Sequence, residues 1–297
     1  MTITFAAGVT GLEQINIANT TTDVSFTTNE ANVVAGQTLG IDASSLTSGR
    51  LTFNGVNETT GATASFNVVG GNAADTITGG SGADTVNGGS GADVIVGGAG
   101  ADNITAGEGT DTVTIGDGQD TVSLTEATPV ADTLIWSTAF AGGNANAATV
   151  SGFAFGAGAD LIDINVAVLN GTTNIAAGTG ATNTLAALAP VAVASNGTAT
   201  ANDVIFTFNG AGDLLAAGTT VANAVANAVT ALTSGTDFSS ASIATGDSLI
   251  LQMNDGTNTF VFHYVADGTP ATTVAADLTL IGMFSGTTVQ ALTGDFI

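Results

Sequence analysis

Residues 70–123, written in nines, read GGNAADTIT, GGSGADTVN, GGSGADVIV, GGAGADNIT, AGEGTDTVT and IGDGQDTVS. Aspartate stands at Asp75, Asp84, Asp93, Asp102, Asp111 and Asp120, every ninth residue without a slip. A β-branched aliphatic follows two places later each time, at Ile77, Val86, Ile95, Ile104, Val113 and Val122. A flexible glycine-serine linker has no reason to hold an aliphatic side chain in phase so often. The period therefore marks a stack of small, equivalent structural units.

Each nonapeptide divides into a turn and a strand. The glycines of GGxGxD permit sharp turns at positive φ, which side chains disfavour. The last three residues form a very short strand whose middle residue, the eighth of the nine, points inward. Two nonapeptides complete one turn of a flattened right-handed coil, a parallel β-roll or β-helix. A single turn buries almost nothing, so stacking is obligatory.

Stacking sets loops of equal phase about one strand spacing (~4.8 Å) apart. It brings together Asp75 with Asp93 and Asp93 with Asp111 on one side, and Asp84 with Asp102 and Asp102 with Asp120 on the other. Carboxylates so close repel unless a hard cation joins them. Calcium takes roughly six to eight oxygens, carboxylate and carbonyl together, whereas magnesium demands a tighter octahedral shell and keeps its waters. The expected ligands are the six aspartates together with the glycine loops at Gly79, Gly82, Gly88, Gly91, Gly97 and Gly100, making four complete Ca2+ sites. Upstream, TFNGVNETT (Thr52–Thr60) puts Asn57 in phase with Asp75, which adds a weaker end site. Downstream, Asp132 in VADTLI reads as a decayed repeat displaced by three residues.

The nonapeptides resemble the RTX (repeats-in-toxin, haemolysin-type) calcium-binding family, with three repeats matching fully from Gly79 to Thr105. Departures fall at Ala73, Ala106 and Ile115, and weaker binding is expected there. The resemblance implies export by the type I secretion machinery of a diderm bacterium, through an uncleaved C-terminal signal. It thus implies a secreted protein, extracellular or on the cell surface. GFAFGAGADLIDIN (Gly152–Asn165) is similar to the phrase that follows the repeats in such proteins. The end, DLTLIGMFSGTTVQALTGDFI, resembles their terminal signals, with Asp295 ahead of Phe296 and Ile297.

On this reading the chain divides into a β-rich segment 1–69, the calcium roll 70–123 and a β-rich C-terminal domain 124–297, all mainly β. Short strands are expected at Thr2–Ala6, Glu13–Ala18, Asp23–Thr27, Arg50–Phe53 and Ala64–Val69, from their β-branched and aromatic content between polar breaks. Further strands are expected at Thr133–Trp136, Leu161–Asn165, Asp203–Phe208, Ser248–Met253, Thr259–Val265 and Leu278–Ile281. Val221, Val225, Val229 and Leu232 recur at helical spacing and predict one short helix over Thr220–Leu232. Pro129, Pro190 and Pro270 all fall in connections.

Composition narrows the function. The 297 residues carry a net charge of −24, with no lysine, one arginine (Arg50), one histidine (His263) and no cysteine. Nothing could neutralise nucleic-acid phosphates, and anionic membrane surfaces would repel the chain. No apolar run is long enough for a spanning helix. The N-terminus lacks the basic and apolar regions of a Sec signal peptide. With 44% hydrophobic residues and a mean hydropathy of +0.42, a core can form. The charged surface is sparse, at 9% of residues, and a chain so acidic calls for a divalent cation partner.

Nothing in the sequence predicts an enzyme. His263 has no second histidine with which to share a metal, and it reads as a structural side chain in the alternating strand TFVFHYVA. Asp160 and Asp163 sit close in sequence, as acidic chains allow by chance, and Arg50 reads as a surface ion pair. The Thr-, Asn-, Ala- and Gly-rich composition resembles that of RTX-containing bacterial surface-layer (S-layer) proteins. It points to a homo-oligomer or polymer: a calcium-dependent S-layer, filament or extracellular matrix. The alternative is an adhesin, or the folding and export module of a larger RTX protein, with an enzyme or toxin third.

Overall fold

The computed structural model describes residues 1–4, 10–18, 21–28, 32–33, 36–56, 64–136, 146–154, 160–164, 194–195, 198–199, 205–207, 215–234, 248–265 and 278–286. Asn57, Pro190, Pro270, Asp295, Phe296 and Ile297 lie outside them. Two compact units are present. One is Met1–Thr138 with Ser151–Ala154 and Gly158–Leu161, the other Ala139–Val150 with Phe155–Ala157 and Ile162–Ile297.

In the first unit the strands are β1 (Thr2–Thr4), β2 (Gln14–Asn16), β3 (Val24–Thr27), β4 (Thr38–Asp42), β5 (Leu51–Asn54), β6 (Ser65–Val69), β7 (Thr76–Gly80), β8 (Thr85–Ser90), β9 (Val94–Gly98), β10 (Asn103–Glu108), β11 (Thr112–Ile115), β12 (Thr121–Ser123) and β13 (Thr133–Trp136). They form two parallel walls. Odd-numbered strands stack in the order β1-β3-β5-β7-β9-β11-β13 and even-numbered ones in the order β2-β4-β6-β8-β10-β12. The chain thus lays one strand on each wall per turn, which is the parallel β-roll that the nine-residue period predicts.

Register follows the period. Ile77 pairs with Ile95, Ile95 with Val113, and Val113 with Leu134 on one wall. Val68, Val86, Ile104 and Val122 pair in succession on the other. All of these side chains are fully buried. The core is therefore two facing ladders of identical or near-identical aliphatics. Above the repeats, where no nonapeptide exists, Phe53 and Phe66 join the walls edge to face at 5.0 Å. The N-terminal strands extend both walls, with Phe26 pairing with Phe53 and Ile41 with Val68.

Strand β4 is absent from the sequence-based expectations. Gly40 interrupts its pattern, and the exposed end of the Gln14 side chain on β2 packs over the space its missing Cβ leaves.

Along the rest of the chain lie β14 (Ala148–Ser151), β15 (Leu161–Ile164), β16 (Ala194–Ser195), β17 (Thr198–Ala199), β18 (Ile205–Thr207), β19 (Ser248–Asn254), β20 (Thr259–Val265) and β21 (Leu278–Ser285). In the second unit β18 runs parallel to β19, and β19, β20 and β21 form an antiparallel meander. A 3₁₀ turn (Val221–Asn223) leads into helix α1 (Ala224–Ser234) over the predicted helical span. Ala224, Val225 and Ala228 of α1 join Leu251, Met253, Phe260, Phe262 and Tyr264 in one core.

The reading of TFVFHYVA as an alternating strand is corrected here. Six of the seven residues of β20, on both faces of the strand, are buried where it lies between β19 and β21. His263 is buried among them, and loss of hydration pushes its pKa down to about 4.

Candidate metal centre

The repeat loops carry the aspartates to the start of each short strand, and every one turns inward. Asp75, Asp84, Asp93, Asp102, Asp111 and Asp120 are between 0% and 2% exposed. Aspartate is almost never fully buried without a partner.

The first carboxylate oxygen, Oδ1, of each has one. It accepts the backbone N–H of the equivalent aspartate one turn earlier: Asp75 N–H to Asp93, Asp84 to Asp102, Asp93 to Asp111 and Asp102 to Asp120, all at 2.7–2.9 Å. The pairs two repeats apart that the sequence predicts are therefore brought together, each through one carboxylate and one backbone donor. Leu51 and Phe66 supply the same donor to Asp75 and Asp84 at the N-terminal end.

The ladder does not stop at the last nonapeptide. Asp111 N–H donates to Asp132 Oδ1 and Asp132 N–H to Asp160 Oδ1, at 2.8 and 2.9 Å. Asp132 and Asp160 are as buried as the repeat aspartates. The sequence noted Asp132 as a displaced repeat and set Asp160 aside. The signal that finds both is the phase of Asp followed two places on by a buried aliphatic, Leu134 and Ile162, as Asp75 is by Ile77. Only the loop length changes.

The second oxygen, Oδ2, separates the ends of the ladder from its middle. In Asp75 it accepts Gly71 N–H at 2.6 Å, and in Asp160 it accepts Ala154 N–H at 2.7 Å. In Asp84, Asp93, Asp102, Asp111, Asp120 and Asp132 it is buried and accepts no hydrogen bond among the described residues. An orphaned buried carboxylate oxygen costs several kcal/mol in order of magnitude. Six in a row, in a chain with a single arginine and no lysine, demand a cation from outside.

Electrostatics agree. Burial drives the pKa of Asp84, Asp93 and Asp132 up to about 7, of Asp102 to about 8, and of Asp111 and Asp120 to about 6, against the pull of the backbone N–H groups. For Asp93 and Asp102, the neighbouring aspartates add repulsion. The Gly80 and Gly116 N–H groups lie near enough to Asp84 and Asp120 to ease this, short of a hydrogen bond to the orphaned oxygen.

The glycines divide by role, which corrects a uniform positive-φ reading. Gly89, Gly91, Gly98, Gly100, Gly107, Gly109 and Gly118, at the second and fourth places of their repeats, take φ between +105° and +126°. Gly79, Gly88 and Gly97, at the first place, do not. They are required for space, since a Cβ there would strike Oδ2 of Asp84, Asp93 and Asp102 respectively. On Gly79 and Gly88 it would also strike the carbonyl oxygen of Gly97 or Ala106 one turn on. Gly82 likewise lacks positive φ and is packed against the Ala64 carbonyl. Carboxylate and carbonyl oxygens thus converge on a cradle that only glycine leaves open. That donor set is all hard oxygen and fits calcium.

Two stretches of the chain, residues 67–95 and 87–122, match the family model described as the RTX calcium-binding nonapeptide repeat (4 copies). No curated protein and no solved structure matches the chain. Among the described residues, no helix is long and apolar enough to cross a membrane.

Proposed function

From the premise that residues 67–122 are RTX nonapeptide repeats that bind Ca2+, we propose that the protein is a secreted structural protein which folds on calcium and then self-assembles into a surface layer, filament or extracellular matrix. The observation that carries it is the row of buried, unpartnered Oδ2 atoms from Asp84 to Asp132. A segment with that row is penalised for folding at neutral pH until cations arrive. Sites of the extracellular kind bind calcium on the order of 10⁻⁴–10⁻³ M, so the roll stays open where calcium is scarce and closes outside the cell.

The ligands in this reading are Asp84, Asp93, Asp102, Asp111 and Asp120 with the loop carbonyls around Gly79, Gly88 and Gly97. Asp75 completes the set as the partner of Asp93 and is its weakest member, because both its oxygens already hold N–H groups. Self-assembly rests on composition. Sparse charge and short polar side chains suit broad subunit contacts, and calcium bridges carboxylates that would otherwise repel.

Circular dichroism with and without EGTA tests the first step, and a spectrum indifferent to the chelator would sink it. Electron microscopy after adding millimolar calcium tests the second, with arrays or fibres expected. A second reading, an adhesin or the folding and export module of a larger RTX protein, is favoured by the separate core that the second unit builds around α1. Persistent monomers in calcium would favour it over assembly.

A further inference from the structure

The nonapeptide pattern ends at Ser123, and Asp111 and Asp132 stand 21 residues apart where 18 separate all earlier pairs. The extra residues lie in the connection between β12 and β13, LTEATPVA (residues 124–131). Glu126 from this connection is held by two backbone donors, Gly109 N–H to Oε1 and Val130 N–H to Oε2, both at 2.8 Å. Glu108 secures the same connection from the other direction, accepting Ala127 N–H at 2.8 Å. Glu126 is thus fixed with its carboxylate turned in toward the ladder.

Asp111, Glu126 and Asp132 each offer a carboxylate oxygen within 4.8 Å of the other two. Proximity alone would mean little in so acidic a chain. The second observation is that Oδ2 of Asp111 and Oδ2 of Asp132 are buried without a hydrogen bond among the described residues, on side chains 0% and 1% exposed. The charge of Glu126 bears on both aspartates. No lysine, arginine or histidine occurs anywhere between Arg50 and His263 to balance three carboxylates. Each Glu126 oxygen keeps a second lone pair beyond the N–H it accepts.

The geometry points to a further divalent-cation site made by Asp111, Glu126 and Asp132, outside the nonapeptide pattern, in which a side chain from the inserted connection takes the place that loop carbonyls hold in the repeats. Its oxygens are all hard, and calcium is the ion they suit. Three carboxylates make it the most highly charged ligand set on the roll, and affinity for Ca2+ rises with ligand charge. The ion ties the inserted connection to the last nonapeptide turn, between β11 and β13 of the odd-numbered wall. The insertion thereby carries the row of cation sites past the nonapeptide pattern, one rung short of Asp160.

The inference rests on calcium binding by the repeats, and bound ions counted on the full chain by equilibrium dialysis at saturating calcium separate the two. Four aspartate pairs in the nonapeptides and this site predict five ions. Glu126→Gln, which keeps an acceptor for Gly109 N–H, is expected to bind one ion fewer while retaining the parent's dichroism in calcium. Glu108→Gln, which loosens the same connection without touching the cluster, is expected to keep all five. Four ions or fewer on the parent chain overturn the inference whatever the variants do. An unchanged count in Glu126→Gln, or an equal loss in Glu108→Gln, overturns it as well. A chain that binds no calcium at all removes the reading of the repeats with it, whereas four ions remove this inference alone.

Discussion

Val113 in the roll and Phe262 in the second unit are both completely buried, but what surrounds them differs. Around Val113 the core is one aliphatic deep on each wall, and an aspartate lies two residues before every rung. Around Phe262 the core draws Leu251, Met253, Phe260, Tyr264 and Leu280 from three strands, with Ala224, Val225 and Ala228 from α1. A buried acid of that unit, Asp255, is satisfied locally: Oδ1 accepts Thr257 N–H and Asn258 N–H at 2.9 and 2.7 Å. Six of the roll's buried acids, Asp84, Asp93, Asp102, Asp111, Asp120 and Asp132, each leave an oxygen without a donor among the described residues. On the proposed reading, one unit folds on its own apolar surface, and the other on surface plus cations.

The comparison is tested most severely by removing calcium. In EGTA at neutral pH, the amides of 64–136 are expected to lose hydrogen-exchange protection almost entirely, while those of β19 and β20 keep theirs. Binding to the folded state alone stabilises it by mass action, and withdrawing the ion reverses that. Protection in the roll that survived EGTA would break the contrast.

Acid should mimic the ion in part. Asp84, Asp93, Asp102, Asp111, Asp120 and Asp132 have folded-state pKa values of about 6 to about 8, above the ordinary 3.8. A carboxyl raised by folding binds its proton more tightly when folded, so the native state holds more protons and stability falls as pH rises. The calcium-free roll is therefore most stable near pH 4 and is lost as pH climbs through 6 to 8. Dichroism in EGTA should show β-structure growing as pH falls from 8 to 5. With calcium present the sign reverses, because protons compete with the ion. Calcium-free folding that improved with rising pH would contradict the orphaned oxygens.

Much of this was legible in the sequence, and the limits of legibility are physical. The nonapeptides announce themselves because the first, second, fourth, sixth and eighth of the nine positions each have a steric or chemical duty, so the period survives in the letters. Upstream the same walls continue through Phe26, Phe53, Phe66 and Ile41, but loops of varying length hide the period, and β4 went unseen behind Gly40. Downstream the aspartate ladder runs on to Asp132 and Asp160. There the rungs were kept and the spacing was not. Register in a parallel stack is set by hydrogen bonding and side-chain phase, and the length of the connecting loop is free. The difference between Asp75 and its neighbours is equally hidden, since it depends on one N–H, that of Gly71, completing a bond that its counterparts miss.

Core truncations sharpen the contrast. Phe262→Ala should cost about 3–5 kcal/mol with or without calcium, read from urea unfolding of the second unit's transition. Ile95→Ala should cost about 2–5 kcal/mol, but only in calcium, because without it there is no folded roll to weaken. Equal losses in EGTA would mean that the roll folds unaided.

Asp102→Asn carries a sign that no plain core mutation has. In calcium it removes a ligand and lowers affinity. Without calcium it removes the most strongly raised carboxyl of the ladder, and the metal-free roll should gain on the order of 1–3 kcal/mol at pH 8. A variant that weakened both states would show Asp102 to be a structural acceptor through Oδ1 alone.

The smallest effect belongs to the second unit. Thr220 precedes the helical segment, and its N–H and hydroxyl both donate to Asn223 Oδ1, at 2.7 and 3.2 Å. Asn223→Ala leaves that N–H without its partner at the exposed start of the helix, where water replaces much of what is lost. The cost should be about 1 kcal/mol. Its use is as a control, since no cation and no raised carboxyl lies in the bond. The same 1 kcal/mol is expected in calcium and in EGTA, at pH 5 and at pH 8. If the Asn223→Ala penalty instead tracked calcium, the second unit would draw part of its stability from the roll, and the two could no longer be treated as folding on separate terms.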